Sequence, residues 1–167
     1  MGIKTAVLFL QRHKYGKPSP IPVVILLLLS IMTPAQQLLR NYEAAFTNLD
    51  FAKEAEYLVD GFISAGPKGS IAQSKQQFLE MAGQVSEFYK KGGFTGVKLL
   101  QMYETPITEQ YSSVQTHWGA TFQKTGDQMT EFDITFIIQL TGSEPKILLF
   151  ITHQDEEEMM KELGIMQ

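Results

Sequence analysis

The stretch Ser112–His153 constrains this chain most, because it holds three apolar-rich segments separated by two turn signals. In the middle segment, MTEFDITFIIQL, apolar side chains occupy every even position from Phe132 to Leu140, and most odd positions are polar. This alternation indicates a strand with one buried face, and β-branched and aromatic residues favour a pleated sheet. The intervening Gly126–Asp127 and Thr141–Ser143 turns fit tight hairpins, since glycine supplies a positive φ. The second half is therefore predicted to be an antiparallel meander.

Composition narrows the class of protein. A chain of 167 residues fits one domain, and its 44% hydrophobic and 19% charged residues are those of a globular protein. The net charge of -4 argues against a nucleic-acid partner, and the absence of cysteine excludes disulfides, thiolate metal sites and a cysteine nucleophile. Only three histidines occur: His13, His117 and His153. We therefore expect no metal site and no cofactor.

Residues 1–32 differ from the rest of the chain. Basic residues precede an apolar run from Ile21 to Met32, which is too short for a stable membrane span but suits a secretory signal. Cleavage near Ala35 would then give an exported protein. The rival hypothesis, which we favour, is a cytoplasmic protein whose translation starts near Met32. Under either hypothesis 1–32 is a signal-like or mis-assigned extension, and 33–167 is the folded domain.

The remaining pattern predicts helices before the meander. Helix starts are indicated by N-cap residues, two of which have a glutamine three residues later that completes a capping box. The predicted helices are Pro34–Asn48 capped by Thr33, a short helix capped by Asp50, a long helix capped by Ser70 with Gln73 and ended by Gly92–Gly93, and a final turn capped by Asp155.

Two further strands are predicted, a short one at Gly61–Ala65 and a long one at Val97–Thr105. Helices followed by a run of strands indicate an α+β fold. We expect three N-terminal helices packed on a curled antiparallel β-sheet that encloses a cone-shaped interior, followed by a short C-terminal helix.

This order resembles the nuclear transport factor 2-like superfamily, which includes ketosteroid isomerase and SnoaL-type polyketide cyclases. The matching pieces are the helices LLRNYEAAFTNLD, FAKEAEYLVD and SIAQSKQQFLEMAGQVSEFY, the strands VQTHWGATF and FDITFIIQL, and the closing KILLFITHQDEEEMMKELG. The resemblance covers Thr33 to Gly164, and the tail ITHQDEEE looks most like uncharacterised bacterial members. It implies a pocket between helices and sheet and a homodimer formed through the sheet.

The ketosteroid isomerase pattern is matched only in part. The resemblance assigns an oxyanion-binding tyrosine to Tyr42, eight residues before Asp50, and the oxyanion-hole aspartate to Asp133. The general base of that enzyme is an aspartate directly before proline. Here that position is Gly66, before Pro67. Isomerase activity by that mechanism is therefore not expected.

The position of Asp133 depends on which sheet face is buried. If the even-numbered apolar side chains from Phe132 to Ile138 face the helices, Asp133 points outward, which is the interpretation we favour. If those side chains form a dimer interface instead, Asp133 faces the cavity. A two-residue loop would pair residues whose numbers add up to an odd sum. His117 shares a sheet face with Asp133 only when the numbers of paired residues in the two strands add up to an even sum. That register would also align Trp118 with the sheet phenylalanines.

Three functional hypotheses follow. The leading one is an uncharacterised domain that binds a small apolar or partly polar molecule in a pocket lined by Tyr42, Phe46, Phe62, Trp118 and Asp133. The second is a cofactor-independent isomerase, cyclase or dehydratase in which Asp133, His117 and Tyr42 converge for acid–base work. The third is a protein-interaction module acting through the sheet face.

Overall fold

A six-stranded sheet is the largest element of the computed structural model, which describes residues 32–126 and 128–165. The spatial order of the strands is β2-β1-β6-β5-β4-β3. Neighbouring strands are antiparallel except β1 and β6, which are parallel. The expectation of a wholly antiparallel sheet is corrected at this pair. The strands are β1 (Leu58–Gly66), β2 (Gly69–Ser74), β3 (Phe94–Pro106), β4 (Tyr111–Phe122), β5 (Thr130–Gln139) and β6 (Lys146–Thr152).

The predicted meander is present as β4, β5 and β6. Ile134, Phe136 and Ile138 of β5 are buried, so the intervening side chains point to the outer face of the sheet. Gly126 and Gly142 in the two connections have φ of 60° and 97°, which explains the glycine at each turn.

Four helices complete the described domain: α1 (Pro34–Thr47), α2 (Phe51–Tyr57), α3 (Lys75–Lys91) and α4 (Glu156–Glu162). Thr33 and Gln36 form the predicted capping box of α1. Asp50 caps α2, and the Asp155 carboxylate accepts hydrogen bonds from two backbone N–H groups of α4. The α+β class is confirmed, with α3 separated from α1 and α2 by the β1–β2 hairpin.

The start of α3 differs from the prediction. Its capping box is formed by Ser74 and Gln77, not by Ser70 and Gln73. The residues from Gly69 to Ser74 instead pair with β1 as an antiparallel strand. Two large apolar side chains of this segment are exposed, Ile71 of the strand by 59% and Leu79 of the helix by 44%.

Helix α1 is fixed to β3 at a β-bulge next to Leu99, where the register with β4 shifts. The Leu99 N–H donates to the Glu43 carboxylate at 2.9 Å, and Arg40 donates to the Leu99 carbonyl at 2.8 Å. Thr47 donates to the Val97 carbonyl at 2.8 Å. These bonds hold α1 so that its apolar face covers the sheet.

Of the N-terminal extension, 1–32, residues 1–31 lie outside the described residues, and the two hypotheses for this extension stay predictions. Within the part of the chain that the structure describes, no helix is both long enough and apolar enough to cross a bilayer.

Candidate functional site

A cavity of about 290 Å³ lies between the helices and the inner face of the sheet. Its wall is mainly apolar and rich in aromatic rings, as is usual for a small-molecule pocket. The aromatic wall residues are Tyr42, Phe46, Phe51, Phe78, Tyr89, Phe94, Phe122, Phe132, Phe136 and Phe150.

Glu54 places a carboxyl in this apolar wall. The residue is only 3% exposed, and its Oε1 atom has no hydrogen-bond partner within the described part of the chain. Burial raises the pKa of Glu54 to about 7; the nearby Tyr42 hydroxyl opposes the rise, and the nearby charge of Asp50 adds to it. The pKa of Tyr42 lies well above its usual value because the ring is buried beside this carboxyl.

A second carboxyl–tyrosine pair lines the same cavity. The Tyr89 hydroxyl donates a short hydrogen bond to the Glu156 carboxylate. Desolvation raises both pKa values; Tyr89 is buried, whereas Glu156 keeps part of its surface exposed, and the charge of Glu156 raises the pKa of Tyr89 further. Glu156 also contributes to the pKa shift of Tyr42, so the two pairs lie within electrostatic reach of each other.

Each helix supplies one of these four polar groups, Tyr42 from α1, Glu54 from α2, Tyr89 from α3 and Glu156 from α4. The sequence reasoning selected Tyr42 but missed Glu54. A signal was present, since Glu54 follows Phe51 by three residues and so falls on the apolar face of the helix that Asp50 caps.

Two of the predicted pocket residues, Tyr42 and Phe46, line the cavity. Phe62 and Trp118 do not, because both are fully buried in the core around it. The Trp118 indole N–H donates to the Thr116 hydroxyl at 2.6 Å.

His117 and Asp133 lie on the outer face of the sheet. They are directly opposite in the β4–β5 register, and His117 Nδ1 is 2.8 Å from Asp133 Oδ1. The other ring nitrogen is 2.9 Å from Glu131 Oε2. Hydrogen bonds to Asp133 and then to Glu131 raise the pKa of His117, and the bond to His117 lowers that of Asp133.

The even register between β4 and β5 thus occurs, because an odd number of residues separates the end of β4 at Phe122 from the start of β5 at Thr130. Tyr42 is inside the domain whereas His117 and Asp133 are on the opposite face of the sheet, so the three do not share a cavity. Among the described residues, no group of three or more His, Cys, Asp or Glu side chains has the geometry of a metal site. The two carboxylates at His117 lie at opposite ring nitrogens and do not converge.

Comparison with known proteins gives a match in structure alone. No family model matches the sequence, and no curated protein matches it. A nuclear transport factor 2-like protein of unknown function from Shewanella oneidensis MR-1 is similar with a TM-score of 0.57 at 12% identity, over 72% of this chain and 97% of that chain.

Two other similar structures carry names that indicate an activity. A candidate polyketide cyclase from Xanthomonas campestris pv. campestris gives a TM-score of 0.52 at 12% identity, over 78% of this chain and 96% of that chain. The beta subunit of benzoate 1,2-dioxygenase from Burkholderia mallei gives a TM-score of 0.55 at 9% identity, over 74% of this chain and 90% of that chain. The domain has the nuclear transport factor 2-like fold.

At Gly66, which the resemblance matches to the isomerase general base, there is little room for a side chain. A Cβ atom added to Gly66 would lie 2.5 Å from the Thr152 hydroxyl oxygen. Asp133, the residue matched to the oxyanion-hole aspartate, lies outside the cavity. The buried carboxyl beside Tyr42 is that of Glu54 instead.

Proposed function

We propose that this domain binds a small, mostly apolar molecule in the cavity between its helices and its sheet. The observation that carries the proposal is the 290 Å³ space itself, whose apolar wall is interrupted by the carboxyl–tyrosine pairs of Glu54 and Glu156. Apolar wall area provides the main binding free energy, and a few polar groups fix orientation. The fold supports a pocket at this place but does not define the ligand.

The test is binding of naphthylethanol, measured by isothermal titration calorimetry. Ala82→Phe places a ring in the cavity wall and is expected to abolish binding, whereas Gln84→Phe adds the same ring at an exposed position of α3 and should leave it unchanged. Naphthylethanol that binds both variants equally would show that the ligand sits elsewhere.

A second candidate function is cofactor-independent acid–base chemistry in the same cavity. It is favoured by the Glu54 pKa of about 7, which would let this carboxyl exchange a proton at neutral pH. Its test is proton exchange at the α-carbon of an apolar ketone in heavy water, followed by NMR. Glu54→Gln should remove the exchange, and an equal rate without protein would reject the activity.

We also propose that a second copy of the domain packs on the outer face of the sheet. Ile63, Leu149 and Ile137 form a row across β1, β6 and β5, and Ile63 and Ile151 remain 40% and 37% exposed. Exposed aliphatic rows of this kind mark protein interfaces. Sedimentation equilibrium should give a dimer that Ile137→Lys dissociates and Glu87→Lys, on α3, does not. A monomeric wild-type domain would reject the homodimer, and the exposed row would then be a candidate interface for a different protein.

A further inference from the structure

Beside Glu54, the hydrogen-bond capacity left open in the cavity wall is that of an acceptor. A tyrosine has a single O–H donor; that of Tyr89 is directed to Glu156, and the Tyr42 hydroxyl lies near Glu54 and lowers the pKa of that carboxyl. Oε1 of Glu54 is buried without a donor in the described part of the chain, and such an atom is costly to leave unpaired. A ligand that enters this region therefore has to bring donors.

The charge around the cavity has the same sign throughout. Of the described residues that line it, Glu54 and Glu156 are acidic, and none is Lys, Arg or His. Aromatic rings such as those of Phe46 and Phe94 surround the pairs, and the faces of such rings attract cations. A bound cation would thus compensate a buried charge for which the described part of the chain supplies no basic partner.

We propose that the ligand of this cavity is an apolar amine, whose protonated nitrogen donates hydrogen bonds to the Glu54 carboxylate beside Tyr42. The inference rests on the proposed binding function and specifies its ligand class. The apolar body of the amine would occupy the aromatic wall. The polar residues Ser64, Thr152 and Gln154 also line an adjoining open cleft and therefore mark the outer end of the cavity.

The experiment compares matched probes that differ only in the polar group. Naphthylethylamine and naphthylethanol form one pair, and aminoadamantane and adamantanol form a second pair with a different apolar body. At pH 8, each amine is expected to bind the wild-type domain roughly tenfold or more tightly than its alcohol, because a charge-assisted hydrogen bond is stronger than a neutral one. This comparison needs no variant.

Glu54→Gln keeps the shape of the side chain and removes its charge. It should weaken amine binding by roughly tenfold or more and alcohol binding by a smaller factor, because the glutamine keeps a carbonyl oxygen that accepts from a hydroxyl. Glu56→Gln is the matched control, since Glu56 is an exposed carboxyl on the same helix that pairs with Lys53. Thermal unfolding followed by circular dichroism confirms that each variant is folded.

The pH dependence of amine binding gives an independent measurement. The titratable groups facing Glu54 are Tyr42 from α1, Asp50 at the start of α2, Tyr89 from α3 and Glu156 from α4. Because burial raises the pKa of Glu54, amine affinity should increase as the pH rises from 5.5 to 8, with the amine itself still protonated. Alcohol affinity should not increase with it.

The outcomes separate this inference from the proposed function. Amines and alcohols that bind equally, with no effect of Glu54→Gln, would overturn the amine assignment and leave a cavity for neutral ligands. Failure of all four probes to bind would overturn both. Preferential amine binding that persists in Glu54→Gln would also reject the assignment, because the cation would then sit at another carboxyl.

Discussion

Glu54 is the residue whose chemistry departs most from its surroundings. It occupies the apolar face of α2 with Phe51 and Ala55, where an aliphatic side chain would fit the helical pattern. A buried carboxylate loses its hydration, and the nearby Tyr42 hydroxyl offsets only part of that loss. The buried Glu54 carboxylate therefore destabilises the fold at neutral pH, and its unpaired Oε1 atom can accept a hydrogen bond from a ligand.

Stability should fall as the pH rises through the range in which Glu54 titrates. Its pKa is raised from 4.5 to about 7 in the folded domain, so the folded state binds more protons than the unfolded state between these values. The free energy of unfolding is expected to decrease over this window by at most about 3 kcal/mol from Glu54 alone. Urea unfolding at a series of pH values measures it.

Glu54→Gln should flatten this decrease and make the domain more stable than the wild type at pH 8. Glu156, whose pKa is also raised by burial, keeps part of the slope. Glu56→Gln, at the exposed position, should leave the wild-type curve unchanged. Parallel curves for wild type and Glu54→Gln would contradict the burial of an ionisable Glu54.

His117 provides the opposite case, a histidine stabilised in its charged form. Its pKa should lie above the usual 6.5 because Asp133 and Glu131 accept hydrogen bonds from the ring. Its contribution to stability is present at low pH and is lost as the pH rises through the folded-state pKa. In an NMR titration, Asp133→Asn should lower the His117 pKa, whereas Asp60→Asn on β1 should not. An unchanged His117 pKa in Asp133→Asn would show that the His117–Asp133 ion pair does not form in solution.

At the scale of elements, the start of α3 shows what a local pattern leaves undecided. Ser70-Ile71-Ala72-Gln73 and Ser74-Lys75-Gln76-Gln77 both contain a serine followed three residues later by glutamine. Each could form a capping box. Which serine caps the helix depends on pairing with β1. The residues from Gly69 to Ser74 form backbone hydrogen bonds with β1 as a strand, so the helix starts after Ser74.

The two serines should therefore differ in their effect on stability. Ser74→Ala removes the side chain that accepts from the Gln77 N–H and should lower the free energy of unfolding by about 1 kcal/mol. Ser70→Ala changes an exposed strand residue and is expected to cost less than about 0.5 kcal/mol. Chemical denaturation of both variants decides between the two helix starts. The reverse ranking would place the cap at Ser70.

At the scale of the whole molecule, α4 depends on a small number of contacts with other elements. It has seven residues, a length that is unstable in isolation, and it is held by buried Met160, the Tyr89–Glu156 hydrogen bond and the ion pairs of Lys68 with Asp155 and Glu157. It also supplies part of the cavity wall. Its opening would therefore give access to the cavity.

Amide hydrogen exchange should accordingly be faster in α4 than in the central strands β4 and β5. Lys68→Ala removes the two ion pairs and is expected to accelerate exchange in α4 by less than about tenfold, since exposed pairs are weak. Lys53→Ala, which removes an exposed pair on α2, should not affect α4. Equal exchange in α4 and β5 would mean that the domain opens only as a unit.

The sequence was informative wherever neighbouring residues determine the structure. Alternation in β5, glycine at positive φ and the caps at Thr33, Asp50 and Asp155 all depend on short stretches of chain. The parallel pairing of β1 with β6 was not predicted, because it joins distant segments. The role of Glu54 was missed for the same reason, since its environment exists only once four helices and the sheet have met.

The parallel pairing of β1 with β6 also has a consequence for the order of synthesis. The hairpin of β1 and β2 leaves the ribosome long before β6 has been translated, and until then one edge of β1 lacks its neighbour. Contacts of such high sequence separation slow folding, and unpaired strand edges invite association. The nascent chain therefore has to keep this edge from other chains until translation has passed Thr152.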